Sequence, residues 1–572
     1  MYDHPAVQRL RRVAQLGGAN HVFPAAEHSR FPHVLGTLQA ATLLMDSMDA
    51  NIAADSRKSY PMSSWRLGRQ FTEEERVFVR LAALIHDVGH LPYGHTLEDE
   101  LGLLRGHDSL ERMRLVARME SYRPLSQERP RMSEVSERLL VGWPLETLLE
   151  RTYGSVRSKV VRRSVKVLDL VLELTAKDAR VQPGRYDEGR FRVGLCRELL
   201  VGPVSADVID YLRRDQHSSG IEAGSYNPRL LQYLLPCIPP GENTGESAAR
   251  IVVDLGYQRR YKKDAATAVA ALLGSRFEMT QVVYRHPAKS SSAAMLDRVL
   301  GHFATTGVLA EIDLAEVERL SCSEYADEDG MLRLVDDVIR RRLATSPQLD
   351  DETMLEHEQV LELLDLIVLR RLHKTEFSLS PSYEPDRFRN AVKLFSGPSG
   401  ATPRTAFARR LEADFGLVPG DVVIYSSGVK PGHKDPNLWL RLDGDAFPVI
   451  QEGRADEEKA DPSVEAIIDV YFRSQQQRFE SLERFEVLLS NAAISQLKGM
   501  RANQAFRDVA LLALKRWSSS DEEHWRDLRA RVARARGLEL GTYREYDTAA
   551  RSRSTPWARY ASGMPALFPN GA

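Results

Sequence analysis

The stretch Leu84-Ile85-His86-Asp87-Val88-Gly89-His90 decides the reading of this chain. An adjacent His-Asp pair closes an apolar run, and further histidines follow at His95 and His107. The run opens on Thr72-Glu73-Glu74-Glu75, a capping box, after which Val77, Phe78, Leu81, Leu84 and Ile85 recur at helical spacing. The His-Asp pair is therefore expected near the C-terminal end of a helix that Gly89 stops. A second helix is expected to begin after Pro32 and to carry His33 with Leu35, Leu38 and Leu43. A third is expected from Ser205, an N-cap residue type, placing Asp207, Tyr211 and Asp215 at i, i+4 and i+8 on one face.

One histidine on an apolar helix is usually a satisfied core or surface residue. Four such groups on three helices are a different matter, because unpaired polar groups on apolar faces are costly and a cation offsets that cost. His33, His86, Asp87 and Asp207 supply an N/O ligand set for one divalent metal, with Mn, Fe, Mg, Co and Zn all open. Helical bundles build metal sites this way, from side chains of facing helices. Such a metal would polarise phosphate oxygens and lower the pKa of water. That chemistry also needs an acid for the leaving oxygen and cations for the developing charge. His90, His95, Glu98 and His107 are the groups at hand. His95 and Glu98 lie three apart, so on a helical turn the carboxylate would orient the imidazole. For His90, a structural place beside the ligands is an equal alternative.

The 572 residues suffice for two or more structural units. With 78 basic and 80 acidic side chains, bulk charge selects neither nucleic acid nor a membrane as partner. Cys196, Cys237 and Cys322 show neither metal-ligand spacing nor a disulfide framework, which suits a reducing cytoplasm. No secretory signal and no membrane-spanning apolar run is read. Strand signals come late: Val422-Val423-Ile424-Tyr425 after a Pro-Gly turn, then Leu438-Trp439-Leu440 and Phe447-Pro448-Val449-Ile450 around Asp443-Gly444. The expected fold is mainly α. It has a core over 1–300, a helical region over 301–547 holding a small mixed α/β element near 415–455, and a disordered tail over 548–572. The basic stretch 151–166 is more often a solvated helix face than a nucleic-acid track.

In order and context, His33, His86-Asp87 and Asp207 resemble the HD phosphohydrolase superfamily. Longer blocks resemble one family within it, the deoxynucleoside triphosphate triphosphohydrolases. The blocks are Gln8 through Gly18, Val22 through His33, His86 through His95, Asp210 through Asp215, and Arg276 with Tyr284-Arg285-His286-Pro287. The resemblance implies an HD-domain helical core with metal ligation by His33, His86, Asp87 and Asp207. It places His107, with His95 and Glu98, at the reacting phosphate. Gln15 and Asp215 would lie near a 3′-hydroxyl, with Leu16 crowding a 2′-hydroxyl. Arg30, Arg276 and His286 would meet phosphates, and Tyr211 and Tyr284 would line sugar and base.

The activity so implied is hydrolysis of a dNTP to deoxynucleoside and triphosphate by a homo-oligomer. Val208 departs from the pattern, standing where relatives place a phosphate-contacting lysine. Two other readings stay open. One is an HD-type nuclease on single-stranded nucleic acid, or a nucleotide phosphatase; the other is a nucleotide- or nucleic-acid-binding effector in bacterial defence.

Overall fold

Three helices place the candidate ligands: Arg30–Asp55, Glu73–Ile85 and Ala206–Ser219, the first packed against both others. The computed structural model describes residues 1–55, 66–100, 104, 106–119, 143–162, 164–180, 184–222, 227–238, 245–257, 260–322, 327–345, 349–396, 401–427, 439–442, 445–448, 482–497, 500–514 and 530. The fold is mainly α, with two small sheets. The expected tail over 548–572 lies outside the described residues.

The Glu73–Ile85 helix starts as its sequence dictates. Thr72 Oγ1 accepts from the Glu75 N–H at 3.2 Å, and the Glu75 carboxylate accepts from the Thr72 N–H at 3.0 Å. Glu75 is fully buried, and Arg192 and Arg69 fork onto it at 2.9 and 2.8 Å. Burial alone would push its carboxyl up, but the two guanidiniums outweigh that and hold it down. The helix ends at Ile85, one residue before the His-Asp pair. Gly89 therefore does not stop it. A Cβ at Gly89 would lie 2.1 Å from the His107 carbonyl oxygen, so the glycine admits a close chain crossing.

The Arg30–Asp55 helix begins two residues before Pro32. Its buried face is Val34, Thr37, Ala41, Leu44, Met45 and Met48, whereas Leu35 and Leu43 are 39% and 46% exposed. The stripe expected from the leucines is thus displaced by one position. Small residues at Ala40 and Ala41 let the neighbouring helices approach, and the packing follows them. Ser205 caps the Ala206–Ser219 helix through the Val208 N–H, and Gly220 closes it with φ 70°.

The strands divide differently from their order in sequence. A six-stranded sheet holds β1 (Arg66–Leu67), β2 (Leu234–Ile238), β3 (Arg250–Tyr257), β4 (Arg260–Tyr261), β7 (Trp439–Leu442) and β8 (Asp445–Pro448). A separate antiparallel sheet runs β5 (Lys374–Leu379), β9 (Phe485–Leu489), β6 (Val422–Ser426). The signals near 415–455 are therefore real strands but not one element. The β7–β8 hairpin joins β3 in parallel, and β6 joins the other sheet. Local propensity marks a strand without naming its partner.

The Pro287–Thr305 helix is buried from Lys289 through Ala304. It packs against Asp351–Val368, Ala401–Phe415 and β6. Residue 300, expected as a domain boundary, falls inside it. One apolar core spans it from Val7 to Leu488, and a second, around Phe395, Phe407, Phe485 and Phe506, lies under β5, β6 and β9. The three cysteines are buried and form no disulfide. Among the described residues, no helix is long and apolar enough to cross a membrane.

Candidate metal centre and nucleotide pocket

His33 projects from the first turn of its helix, Asp207 from the first turn of Ala206–Ser219, and His86-Asp87 from the turn after Ile85. The three chain segments converge. His33 Nε2 lies 3.2 Å from Asp207 Oδ1 and 3.8 Å from Asp87 Oδ2. His86 Nε2 lies 3.3 Å from Asp87 Oδ1 and 3.7 Å from Asp207 Oδ1. All four residues expected as ligands are thus brought together.

The far nitrogens are already engaged, His33 Nδ1 with Asp210 at 2.8 Å and His86 Nδ1 with the Ala83 carbonyl at 2.8 Å. Both Nε2 atoms are left facing carboxylates, and His86 Nε2 is buried with no hydrogen-bond partner among the described residues. Ligand atoms of His33, His86 and Asp207 lie within 4.8 Å of one another. A buried, orphaned imidazole nitrogen among carboxylate oxygens is costly, and the donor set matches a divalent ion. The residues present fit such an ion, with Asp87 adjacent. Burial opposes charge on Asp87, but His86, His90 and Arg30 outweigh it and hold the carboxyl well below its usual range. Burial likewise opposes charge on His33, yet hydrogen bonds to Asp207 and Asp210 push its pKa up to about 10.

Beside this centre stand three more rings. His90 Nε2 lies 3.4 Å from Asp87 Oδ1, and burial, then Arg30 and His107, hold its pKa well below the ordinary value. His90 stacks on His107 at 3.5 Å with the planes 16° apart, and His95 meets both edge-on at 4.8 and 5.1 Å. Asp87, His90 and His107 also bring ligand atoms within 4.8 Å. His107 Nδ1 is already engaged by Glu98 at 2.9 Å, whereas in the first group both Nε2 atoms face carboxylates. Tyr93 has φ 53°, and a Cβ at Gly94 would lie 2.8 Å from His90 Nδ1. The chain is strained and tight where it passes over that ring.

Glu98, which the spacing pairs with His95, is seated on His107. Its carboxylate accepts from His107 Nδ1 at 2.9 Å and from the His107 N–H at 3.0 Å. Residues 96–100 wind as a π-turn, which alters the i, i+3 geometry. The other carboxylate oxygen takes Arg112 at 3.2 Å, and Arg112 continues to Glu318 on the Glu311–Ser321 helix. Neither Arg112 nor Glu318 was singled out from sequence, because nothing local links them to His107.

The pocket residues fall into two groups. Leu16 and Gln15 are buried, and Gln15 Oε1 has no hydrogen-bond partner among the described residues. Asp215 accepts from the Tyr284 hydroxyl at 2.7 Å and lies 2.9 Å from His28 Nε2, a histidine the sequence reading passed over. Tyr211 and Tyr284 meet at 6.3 Å, and Arg276 hydrogen-bonds Tyr211, whose pKa burial pushes up to about 12. His286 accepts from the Ala288 N–H at the head of the Pro287–Thr305 helix and packs its ring on Phe23. Arg30 differs from its expected role. It is buried, bound to Asp87 at 2.9 Å and to the Gln15 carbonyl at 3.2 Å, so its charge is committed to the metal centre.

The basic stretch 151–166 is partly neutralised by carboxylates of the Leu145–Val160 helix. Arg157 pairs with Glu150 at 3.0 Å, Lys166 with Glu146 at 2.7 Å, and Arg151 stacks on Trp143 at 3.8 Å.

No protein-family model matches the chain. It is similar to the uncharacterised protein YwfO of Bacillus subtilis, 25% identical over 293 residues, covering 51% of this chain and 49% of that protein. It is similar to the deoxynucleoside triphosphate triphosphohydrolase SAMHD1 of Gallus gallus, 27% identical over 236 residues (41% and 33% covered). With the Mus musculus SAMHD1 it shares 23% over 441 residues (76% and 59% covered). The chain spans between a third and three fifths of the length of these relatives. The solved structure of a phosphohydrolase from Bacteroides thetaiotaomicron superposes with a TM-score of 0.43 at 18% identity, over 85% of this chain and 94% of that one. By its sequence relationships, this chain is similar to HD-domain, dNTPase-like proteins, with the Dictyostelium discoideum SAMHD1 homologue 36% identical over 103 residues (18% and 17% covered).

Proposed function

We propose that this chain is a metal-dependent hydrolase of deoxynucleoside triphosphates, cleaving at the α-phosphorus to release deoxynucleoside and triphosphate. One juxtaposition carries the reading: the quartet His33, His86, Asp87 and Asp207 stands directly beside the His107–Glu98 pair. When bound, a divalent ion supplies Lewis acidity toward the phosphate and lowers the pKa of water.

The chain's own groups do the rest. Glu98 accepts a hydrogen bond from His107 Nδ1–H and so orients the ring; when Nε2 is protonated as well, the imidazolium delivers that Nε2 proton to the departing 5′-oxygen and is left as the neutral Nδ1–H imidazole. Arg276 offers a fork for phosphate oxygens. Gln15 Oε1, buried without a partner, accepts from a 3′-hydroxyl, while Leu16 presents hydrocarbon to the 2′ position. Tyr211 and Tyr284, set edge to face, offer aromatic surface to sugar and base. The names of the SAMHD1 relatives support the same substrate class. Pairing of Arg157 and Lys166 with their own acidic neighbours weighs against a nucleic-acid track.

The test is direct. Purified protein is incubated with each dNTP and NTP plus Mn²⁺, Mg²⁺, Co²⁺ or Fe²⁺, and the products are separated by ion-pair chromatography. Triphosphate is the expected product; monophosphate with pyrophosphate would exclude the reaction. A homo-oligomer is proposed with it, to be checked by sedimentation at micromolar concentration.

A further inference from the structure

Asp210 lies one helical turn beyond Asp207, at i+3, and is not itself among the four ligands. Its Oδ2 sits 2.8 Å from His33 Nδ1, the nitrogen on the far side of the ring from Asp207 and Asp87. Arg214, one further turn along, clamps the same carboxylate at both oxygens, Nε to Oδ2 at 2.9 Å and Nη2 to Oδ1 at 2.8 Å. The carboxylate therefore has a fixed plane before any ligand arrives.

Room for it is made on the opposite helix. A Cβ at Gly36 would fall 1.7 Å from Asp210 Oδ1 and 2.5 Å from the Arg214 guanidinium. Gly36 sits in the interior of the Arg30–Asp55 helix, where glycine is less favourable than alanine. The helix carries that cost at the position where the carboxylate must enter.

We infer that Asp210, held by Arg214 and admitted by Gly36, is the positioning residue for His33. It accepts the Nδ1 proton, fixes the tautomer with its lone pair on Nε2, and makes that nitrogen a stronger donor to a divalent ion. Carboxylates placed behind ligating histidines act in this way. The inference rests on the metal-centre reading above and adds a residue to it.

The experiment titrates metal-free protein with Mn²⁺ and counts the free ion by electron paramagnetic resonance. Wild type should take up one ion per chain. Asp210→Ala should raise the Mn²⁺ Kd about 10–100-fold, the usual cost of losing such a partner. Asp210→Asn, which keeps a neutral acceptor, should fall between. Gly36→Ala leaves every ligand and Asp210 itself in place but displaces the carboxylate, and should weaken Mn²⁺ in the same direction. It also decides the matter if Asp210→Ala does not fold. Circular dichroism without metal should match wild type, which separates positioning from general destabilisation. Wild type binding Mn²⁺ while the folded variants bind equally well would overturn this inference alone. Wild type taking up no Mn²⁺ would overturn the metal reading and this inference together.

Discussion

Glu98 holds His107 at two atoms, the ring Nδ1 at 2.9 Å and the backbone N–H at 3.0 Å, and so fixes both the place and the tautomer of one imidazole. Behind it, Arg112 pairs with the carboxylate at 3.2 Å and links it to Glu318. Glu98→Gln should lower kcat by about 10²–10⁴-fold, the range for a positioned general acid, with KM and bound metal little changed. Steady-state kinetics with metal analysis checks this. A variant that loses its metal instead would assign Glu98 to the centre itself.

The metal centre makes a sharper demand. Replacing His86 and Asp87 together by alanine removes the orphaned Nε2 and the carboxylate beside it. Bound metal and turnover should both vanish while the circular dichroism spectrum stays helical. Retention of full activity would remove the proposed chemistry.

In the proposed reaction, sugar discrimination falls to Leu16. A ribose 2′-hydroxyl buried against it without a partner should cost about 1–3 kcal/mol, roughly ten- to two-hundred-fold in kcat/KM. Leu16→Ala should narrow the ratio of dATP to ATP hydrolysis. Equal rates on the two substrates in wild type would mean that this pocket does not gate deoxyribose.

Stability in the C-terminal half should depend on one buried pair. Arg404 forks onto Asp297 at 2.7 Å with both oxygens, and both side chains are almost fully buried. Asp297→Ala removes a bidentate carboxylate from this buried guanidinium and should cost about 3–5 kcal/mol in denaturant unfolding. A loss below 1 kcal/mol would mean that water or another acid reaches Arg404.

Glu198 should give a pH signature. Burial pushes its pKa up to about 7, although its carboxylate accepts the Ile251 N–H at 2.8 Å. The folded state thus holds a proton that the unfolded chain has released above its ordinary carboxylate range. Its contribution is complete below the unfolded pKa and is lost as pH rises through about 7. Glu198→Gln should raise the thermal midpoint at pH 8 and leave it unchanged at pH 4, as calorimetry at the two values would reveal.

By itself the sequence determined the helices and the ligand types. The Thr72 capping box, the Ser205 cap and the apolar spacing of Phe78, Leu81, Leu84 and Ile85 are local signals, and local hydrogen bonds and burial obey them. His33, His86, Asp87 and Asp207 were legible because polar groups on apolar faces need a partner. Tertiary structure decided what depends on partners distant in the chain. It seated Glu98 on His107 and committed Arg30 to Asp87. It sent β6 and β7 to different sheets, and it set a chain crossing against Gly89 and the Asp210 carboxylate against Gly36. Spacing along a helix specifies which face a side chain shares, but the group opposite is set by packing between segments, and no local pattern encodes it.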